Sequence, residues 1–491
     1  MSKSSPLSSG TGVQDGIQSS ACAVVAPGPF GVDDFDATSE TRSRAKSATT
    51  IAAATITSRD GPLLGKAGPT VVPDFVSSTS NLDGHYPEGG IRAWLVVFGS
   101  WLALFASLGF MNVLSTVLTH ITTNVSIPYS SGAVGGLISC YTLLSLLPGL
   151  YVGPLFDKYG PRWLILSGTA CLVTSLVIAS ISTSFDPILA ALTILSSIGT
   201  SLLFTPSIAI IGHYFSARRG LATGIASTAG PAAGVIFPSL LHALFNLLDW
   251  PWAVRALALI FLVLAIASTF LIRSRRGLIP PATNNPNLNP HPSTQIFRTK
   301  GVTLTLAAIF LSQLAAFFPL TYLSSYTLNM GFSHAFCFDV IATLNASSVV
   351  GRVVTGWAAD RVGPFNANML VSAVAAVACF GAWLPAGATK AGIVAFAVVI
   401  GFVSGGGVAL VPVSVGRLCR TEEYGRYYGT CYAVVSIAVL VAIPVEGSVV
   451  GVKGGSYGGL VVTTGVFYIA SAVVFAVAKA AVVGWKVWVA F

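Results

Sequence analysis

The sequence predicts an all-α membrane protein with twelve transmembrane helices in two pseudo-symmetric six-helix halves. Three observations carry this. Of 491 residues, 54% are hydrophobic and only 9% charged, with mean hydropathy +0.78; a soluble domain carries roughly 25% charged residues. Apolar runs of hydrocarbon length recur from Ala93 to near the C-terminus. A charged loop signature occurs twice, at the same place in each half.

Residues 1–86 are rich in Ser, Thr, Gly, Asp and Pro without sustained apolar periodicity, the composition of a disordered tail. No N-terminal signal peptide is visible, so the first span, entered after Arg92, is expected to act as the targeting signal. A hydrocarbon core about 30 Å thick needs roughly 20 apolar residues per helix. Between Ala93 and Phe156 there is no Asp, Glu, Lys or Arg. That stretch holds two spans, broken near His120–Ser130 by Asn124, Pro128 and Tyr129. The same reading along the chain predicts spans at 94–118, 132–156, 163–183, 188–211, 221–245 and 253–272. After a connector it predicts 302–327, 336–359, 367–386, 391–415, 427–445 and 459–483. The organisation is a tail over 1–86, a first half over 87–272, a linker over 273–300 and a second half over 301–491.

The linker carries Arg273, Arg275, Arg276, Arg298 and Lys300 with five prolines, a flexible basic connector. Cations concentrate in the even-numbered connections, including Lys158, Arg162, Arg218, Arg219, Arg361, Arg417, Arg420 and Arg426. The odd-numbered connections hold little besides Arg255, Lys390 and Lys453. The positive-inside rule then places both termini in the cytoplasm, with the plasma membrane as the expected site. The net charge of +9 is spread over short loops rather than one face, which excludes a nucleic-acid partner. Seven scattered cysteines form no CxxC or Cys/His cluster, so no metal or other cofactor is expected. Asn124-Val125-Ser126 is a glycosylation sequon on an outer loop close to the membrane.

The loop after the second span reads Gly153-Pro-Leu-Phe-Asp157-Lys158-Tyr-Gly160-Pro-Arg162. The loop after the eighth reads Gly356-Trp-Ala-Ala-Asp360-Arg361-Val-Gly363-Pro, 203 positions later. Both fit G-x-x-x-D-[KR]-x-G. Weaker correspondences pair Gly224 with Gly429 and Pro238 with Pro444. Glycine permits close approach of a neighbouring helix. The aspartate can cap a helix N-terminus or pair with a cation from the next helix, so these loop residues are candidate gating elements.

These loops resemble the major facilitator superfamily and, more narrowly, its monocarboxylate transporter-like branch in fungi. Further support comes from Pro87-Glu88-Gly89-Gly90 with Ala93-Trp94, Tyr214-Phe215 and the run Arg218-Arg219-Gly220-Leu221-Ala222-Thr223-Gly224. Asn345 and Gly351-Arg352 on the eighth span, and Ser436, Leu440, Pro444 and Gly447 on the eleventh, complete it. The resemblance covers roughly residues 87–484 and implies a carrier of a small solute working by alternating access. The branch includes carriers of carboxylates, vitamins and secondary metabolites. Two positions depart from it. Animal proton-coupled members have a lysine midway along the first helix, where Met111 stands here, and an aspartate one turn before the eighth-helix arginine, where Ser348 stands here. Both departures argue against lactate-type proton coupling, although protons remain a candidate coupling ion.

Arg352 is the sharpest candidate for solute binding. It lies eight residues before Asp360, about 12 Å along a helix axis and so near mid-bilayer. A cation at that depth is costly and normally faces a cavity or a partner. No acid is expected at its level, so it is free to bind an anionic or strongly hydrogen-accepting group; the alternative is a structural arginine satisfied by backbone carbonyls and water. Secondary candidates are Asn112, Tyr141, Gln313, Tyr322 and Asn345, each also suited to interhelical packing. In the resembling carriers the first, fourth, seventh and tenth helices line the cavity, which suits Asn112, Gln313 and Tyr322. On the fifth span, Gly230-Pro231 and Gly234 resemble part of an antiporter motif, and they also permit bending and close packing.

An enzyme is disfavoured: there is no HExxH, nucleophile elbow, P-loop or pair of intramembrane carboxylates. A carrier reading, with efflux or exchange of an organic anion or secondary metabolite ahead of monocarboxylate or vitamin uptake, stands against a non-transporting sensor on a carrier scaffold.

Overall fold

The computed structural model describes residues 86–124, 131–182, 184–273, 294–386, 389–452 and 457–483. The expected tail up to residue 85, most of the basic linker, residues 125 and 126 of the sequon and the last eight residues lie outside the described residues.

Twelve helices among the described residues are long and apolar enough to cross a membrane. In order these are α1 (Ile91–Leu118), α2 (Gly136–Tyr159), α3 (Pro161–Ile181), α4 (Asp186–His213), α5 (Arg219–Leu247) and α6 (Trp250–Leu271). The second half holds α7 (Lys300–Asn329), α8 (His334–Val362), α9 (Pro364–Trp383), α10 (Lys390–Val415), α11 (Thr421–Ala442) and α12 (Gly458–Val482). Each coincides with an expected span to within a few residues. The largest shift is at α11, whose charged start (Thr421, Glu422, Glu423) forms a short 3-10 turn leading into the helix.

Local chemistry explains the sharp turn in each repeated loop. Gly160 and Gly363 have φ of 77° and 87°, which end α2 and α8 in a conformation other residues resist. Pro161 and Pro364 follow at the first position of α3 and α9, where a missing N–H costs nothing. Glycine and proline of the shared signature therefore stop one helix and start the next.

Apolar side chains on the outside meet lipid rather than water. Leu166, Leu259, Phe270, Leu370 and Val377 are among the exposed ones, as expected where every backbone group is satisfied within its own helix. Trp357 stacks under the Arg361 guanidinium at 3.9 Å, and Trp163 is exposed at the same end, the placement of an interfacial aromatic belt. Inside the first half, Phe261 bridges Phe110 and Phe237 with centroid separations of 5.8 and 5.4 Å. Inside the second, Trp383 lies between Phe396 and Tyr326 at 4.5 and 5.7 Å. The halves meet through α2 against α11, α5 against α8 and α10, and α4 against α11.

Candidate functional site

The seam between the halves is built from two glycine-lined helix pairs related by the internal repeat. Along α2, Gly149, Gly153 and Asp157 follow at four-residue spacing; along α8, Arg352, Gly356 and Asp360 do the same, 203 positions on. Four-residue spacing puts each trio on one helix face. A Cβ on Gly153 would overlap the carbonyl oxygen of Gly425, and one on Gly356 would overlap that of Gly220. Likewise, Gly429 leaves no room for a side chain against the Gly149 carbonyl, nor Gly224 against that of Arg352. The backbones approach until only hydrogen fits.

At the linker end of each pair an aspartate caps the helix opposite. Asp157 accepts from the backbone N–H groups of Gly425 and Arg426, both at 2.8 Å. Asp360 accepts from those of Gly220 and Leu221 at 2.6 and 2.8 Å. Free N–H groups and the positive end of the helix dipole make such a terminus a natural carboxylate site. Capping, one of the two roles expected for these aspartates, is observed, and the helix capped belongs to the other half. Lys158 and Arg361 instead lie over Tyr159 and Trp357 at 5.3 and 3.9 Å. Arg162 points outward, exposed.

The segment before α1 adds a strap. Glu88 accepts from the backbone N–H groups of Ser216, Ala217 and Arg218 at 2.7, 2.8 and 3.1 Å. It does so from φ of 47°, a left-handed conformation uncommon outside glycine. Two residues earlier, the Tyr86 hydroxyl meets Thr421 Oγ1 at 2.5 Å, so the strap touches both halves.

Arg352 lies two turns further into the membrane. Its Nη1 donates to the carbonyl of Ser227 on α5 at 2.5 Å. That carbonyl is available because the residue four places on is Pro231, which has no N–H to give back. Gly230 leaves the space beside it that the guanidinium occupies. Arg352 Nε is buried without a partner, and no carboxylate pairs with Arg352 among the described residues. The side chain borders a cavity of about 20 Å³ lined by Leu104, Phe204, Ser227, Pro412 and Tyr432 among others, room for about one water. In this conformation the seam is closed around Arg352.

The other five candidates do not gather there. The Tyr141 hydroxyl bonds Thr200 Oγ1 at 2.7 Å and its ring stacks on Phe110, so it joins helices within the first half. Asn345 donates to the Ile341 carbonyl of its own helix at 3.1 Å. Gln313 is buried in α7, and Tyr322 packs against the core of the second half. Asn112 is buried, and neither atom of its amide has a partner among the described residues. Arg352 alone among the six lines the cavity.

Two features of the seam escaped the sequence reading. Arg219, assigned to a cationic loop, is buried and lies 3.9 Å over the ring of Tyr424. Tyr424, Tyr428 and Tyr432 form a buried aromatic column on one face of α11. The spacing of the three tyrosines was a readable signal; the burial of Arg219 had none.

Two halves in tandem, a repeated loop and seams closed by helix capping describe a known architecture, and the match in sequence decides it. Residues 96–443 fit the profile of the Major Facilitator Superfamily. The chain belongs to that superfamily. It is accordingly a transmembrane transporter of a small-molecule solute. It is similar to the aspyridones efflux protein of Emericella nidulans, 32% identical over 372 residues that cover 75% of this chain and 74% of that one. It is also similar to a riboflavin transporter of Saccharomyces cerevisiae, 29% identical over 428 residues, 83% of this chain and 81% of that one. Among solved structures, the human organic anion transporter MFSD10 superposes with a TM-score of 0.59 at 17% identity, over 79% of this chain and 100% of that one; it shares the fold.

Proposed function

We propose that this transporter moves a small organic anion, by export or exchange, across the plasma membrane, with both termini and the linker in the cytoplasm. The observation that carries the reading is Arg352. It is a guanidinium on the seam between the halves, held by one backbone carbonyl, and among the described residues its Nε has no partner and no acid pairs with it. A cation kept at that depth without a counter-ion is suited to a ligand that brings the negative charge. The loop cations support the orientation. The two aspartate-capped helix pairs act as the cytoplasmic gate, and the closed seam is the state in which that gate is shut. Opening breaks both caps, and Arg352 exchanges the Ser227 carbonyl for the solute. Efflux is favoured by the likeness to an efflux protein. The likeness to a riboflavin transporter favours a vitamin as the solute in the second reading, an uptake carrier.

The test is flux in vesicles holding the full-length protein and a panel of radiolabelled organic acids. Arg352→Ala is expected to lower the flux of the accepted acid at least tenfold, with Arg352→Lys between it and wild type. Wild-type rates in both variants, at normal expression, would remove Arg352 from the solute path. Imposing a pH gradient separates proton coupling, which accelerates net flux, from exchange, which answers only to acid on the far side.

A further inference from the structure

We infer that the gate-side half of the solute path recognises a planar aromatic anion, an arene or conjugated ring bearing a carboxylate or enolate, on a ladder of three tyrosines with a guanidinium at each end. The inference rests on the anion-carrier reading and adds the shape of the solute to its charge.

Tyr424, Tyr428 and Tyr432 recur every four residues on α11, which places them on one face. Their rings follow at centroid separations of 5.8 and 4.8 Å. Phe204 of α4, in the other half, closes against the upper two at 6.2 and 4.9 Å. All three tyrosines are buried here, because the halves are pressed together over them. Separation at the linker end withdraws Phe204 from Tyr428 and Tyr432 and leaves a slot between aromatic faces. Offset and edge-on contacts at these spacings are those that aromatic pairs prefer, so a flat ring replaces one side of an existing contact rather than requiring a new pocket.

The charges stand at the ends of the ladder. Arg219 covers Tyr424 at 3.9 Å. Arg352 borders the same cavity as Tyr432. Both guanidiniums keep a buried nitrogen without a hydrogen-bond partner, Nη2 of Arg219 and Nε of Arg352. Neither pairs with a carboxylate among the described residues; Asp157 and Asp360 sit on helix N-termini. Two buried cations without an acid between them are costly inside a packed protein. An anionic group arriving along the ladder lowers that cost, and Arg352 can hold it through adjacent nitrogens.

The opposite wall shows that the aromatic face is specific to one half. By the 205-residue offset that relates Gly220 to Gly425, the counterparts of the three tyrosines on α5 are Arg219, Thr223 and Ser227. Thr223 and Ser227 line the Arg352 cavity with Tyr432. A ring lying on the α11 side would therefore present its polar edge to hydroxyls and a guanidinium.

The experiment measures binding of 2-naphthoate and of cyclohexanecarboxylate, which bears the same charge on a puckered ring, to the purified full-length transporter in detergent. Wild type is expected to favour 2-naphthoate by about tenfold or more. Tyr428→Leu with Tyr432→Leu should erase the preference, the corresponding Phe pair should keep it, and Arg352→Gln should weaken both acids. Thermal melting reports folding; if the Leu pair does not fold, Tyr432→Leu alone, at the cavity edge, carries the same comparison. Equal binding of the two acids to wild type, or a preference that survives loss of the tyrosine rings, overturns the ladder while leaving an anion carrier. Absence of binding and flux for every anion overturns the anion reading and the ladder with it.

Discussion

The pair α2–α11 and the pair α5–α8 use the same three devices: a glycine seam, a close backbone approach and an aspartate on the facing helix terminus. They differ in what fills the next turn. Gly149 stands on α2 where Arg352 stands on α8, and Tyr424 stands on α11 where Arg219 stands on α5. The shared devices close the molecule at one end. The differences put the cations and the aromatic rings on the buried seam between the halves. On the proposed reading, repetition serves the movement and departures from repetition serve the cargo.

The largest effect is expected from filling a seam. Gly153→Val and Gly356→Val each place a branched side chain where the opposite carbonyl already excludes a methyl group, an overlap worth several kcal/mol in a close-packed interface. Each variant should hold the gate open. A single-cysteine version retaining Cys431, buried in the closed state, should then react with a membrane-impermeant thiol reagent applied from the linker side. Continued protection of Cys431 in either variant would show that its seam is not needed for closure.

Removing one aspartate charge should be milder. Asp157→Asn and Asp360→Asn each weaken a charge-assisted pair of hydrogen bonds, about 1.5–3 kcal/mol, so the same labelling should rise roughly tenfold or more. The repeat predicts similar effects for the two and a larger one for the double variant. A strong effect from one and none from the other would break the equivalence of the gates.

Glu88→Gln should be smaller still, because the strap supports one helix terminus from a half-exposed position. A few-fold rise in labelling is expected. The smallest effect belongs to Tyr424→Phe, which keeps the ring under Arg219 and loses the hydrogen bond to the Pro412 carbonyl at 2.9 Å. That costs about 1 kcal/mol, read as a shift of a few degrees in melting temperature with transport retained. A large loss of transport would move the Tyr424 hydroxyl from packing to function.

The twelve spans, the repeat and the superfamily were legible because lipid thickness fixes how long an apolar run must be, whatever it packs against. The scarcity of acids in these spans was legible for a related reason, because it can be counted along the chain. The solute role of Asn345 and Tyr141 drew on polarity within apolar helices, and polarity does not distinguish a cavity from a contact. Tyr141 bonds Thr200 within its own half and Asn345 turns back to its own helix. The two glycines four apart at the start of α5 and again of α11 were visible, but the face each presents was not.

By itself the sequence determined what is local or set by the solvent: helix lengths, glycine–proline turns at the repeated loops, the charge asymmetry between ends and the tandem halves. Only the tertiary structure decided which groups meet. Asp157 caps a helix that begins more than 260 residues later, and Arg352 finds the Ser227 carbonyl, which Pro231 on another helix leaves without its usual donor. A hydrogen-bond acceptor becomes available, and a charge becomes buried, only when a second segment arrives to make it so. That arrival is a property of the packed halves rather than of any stretch of chain.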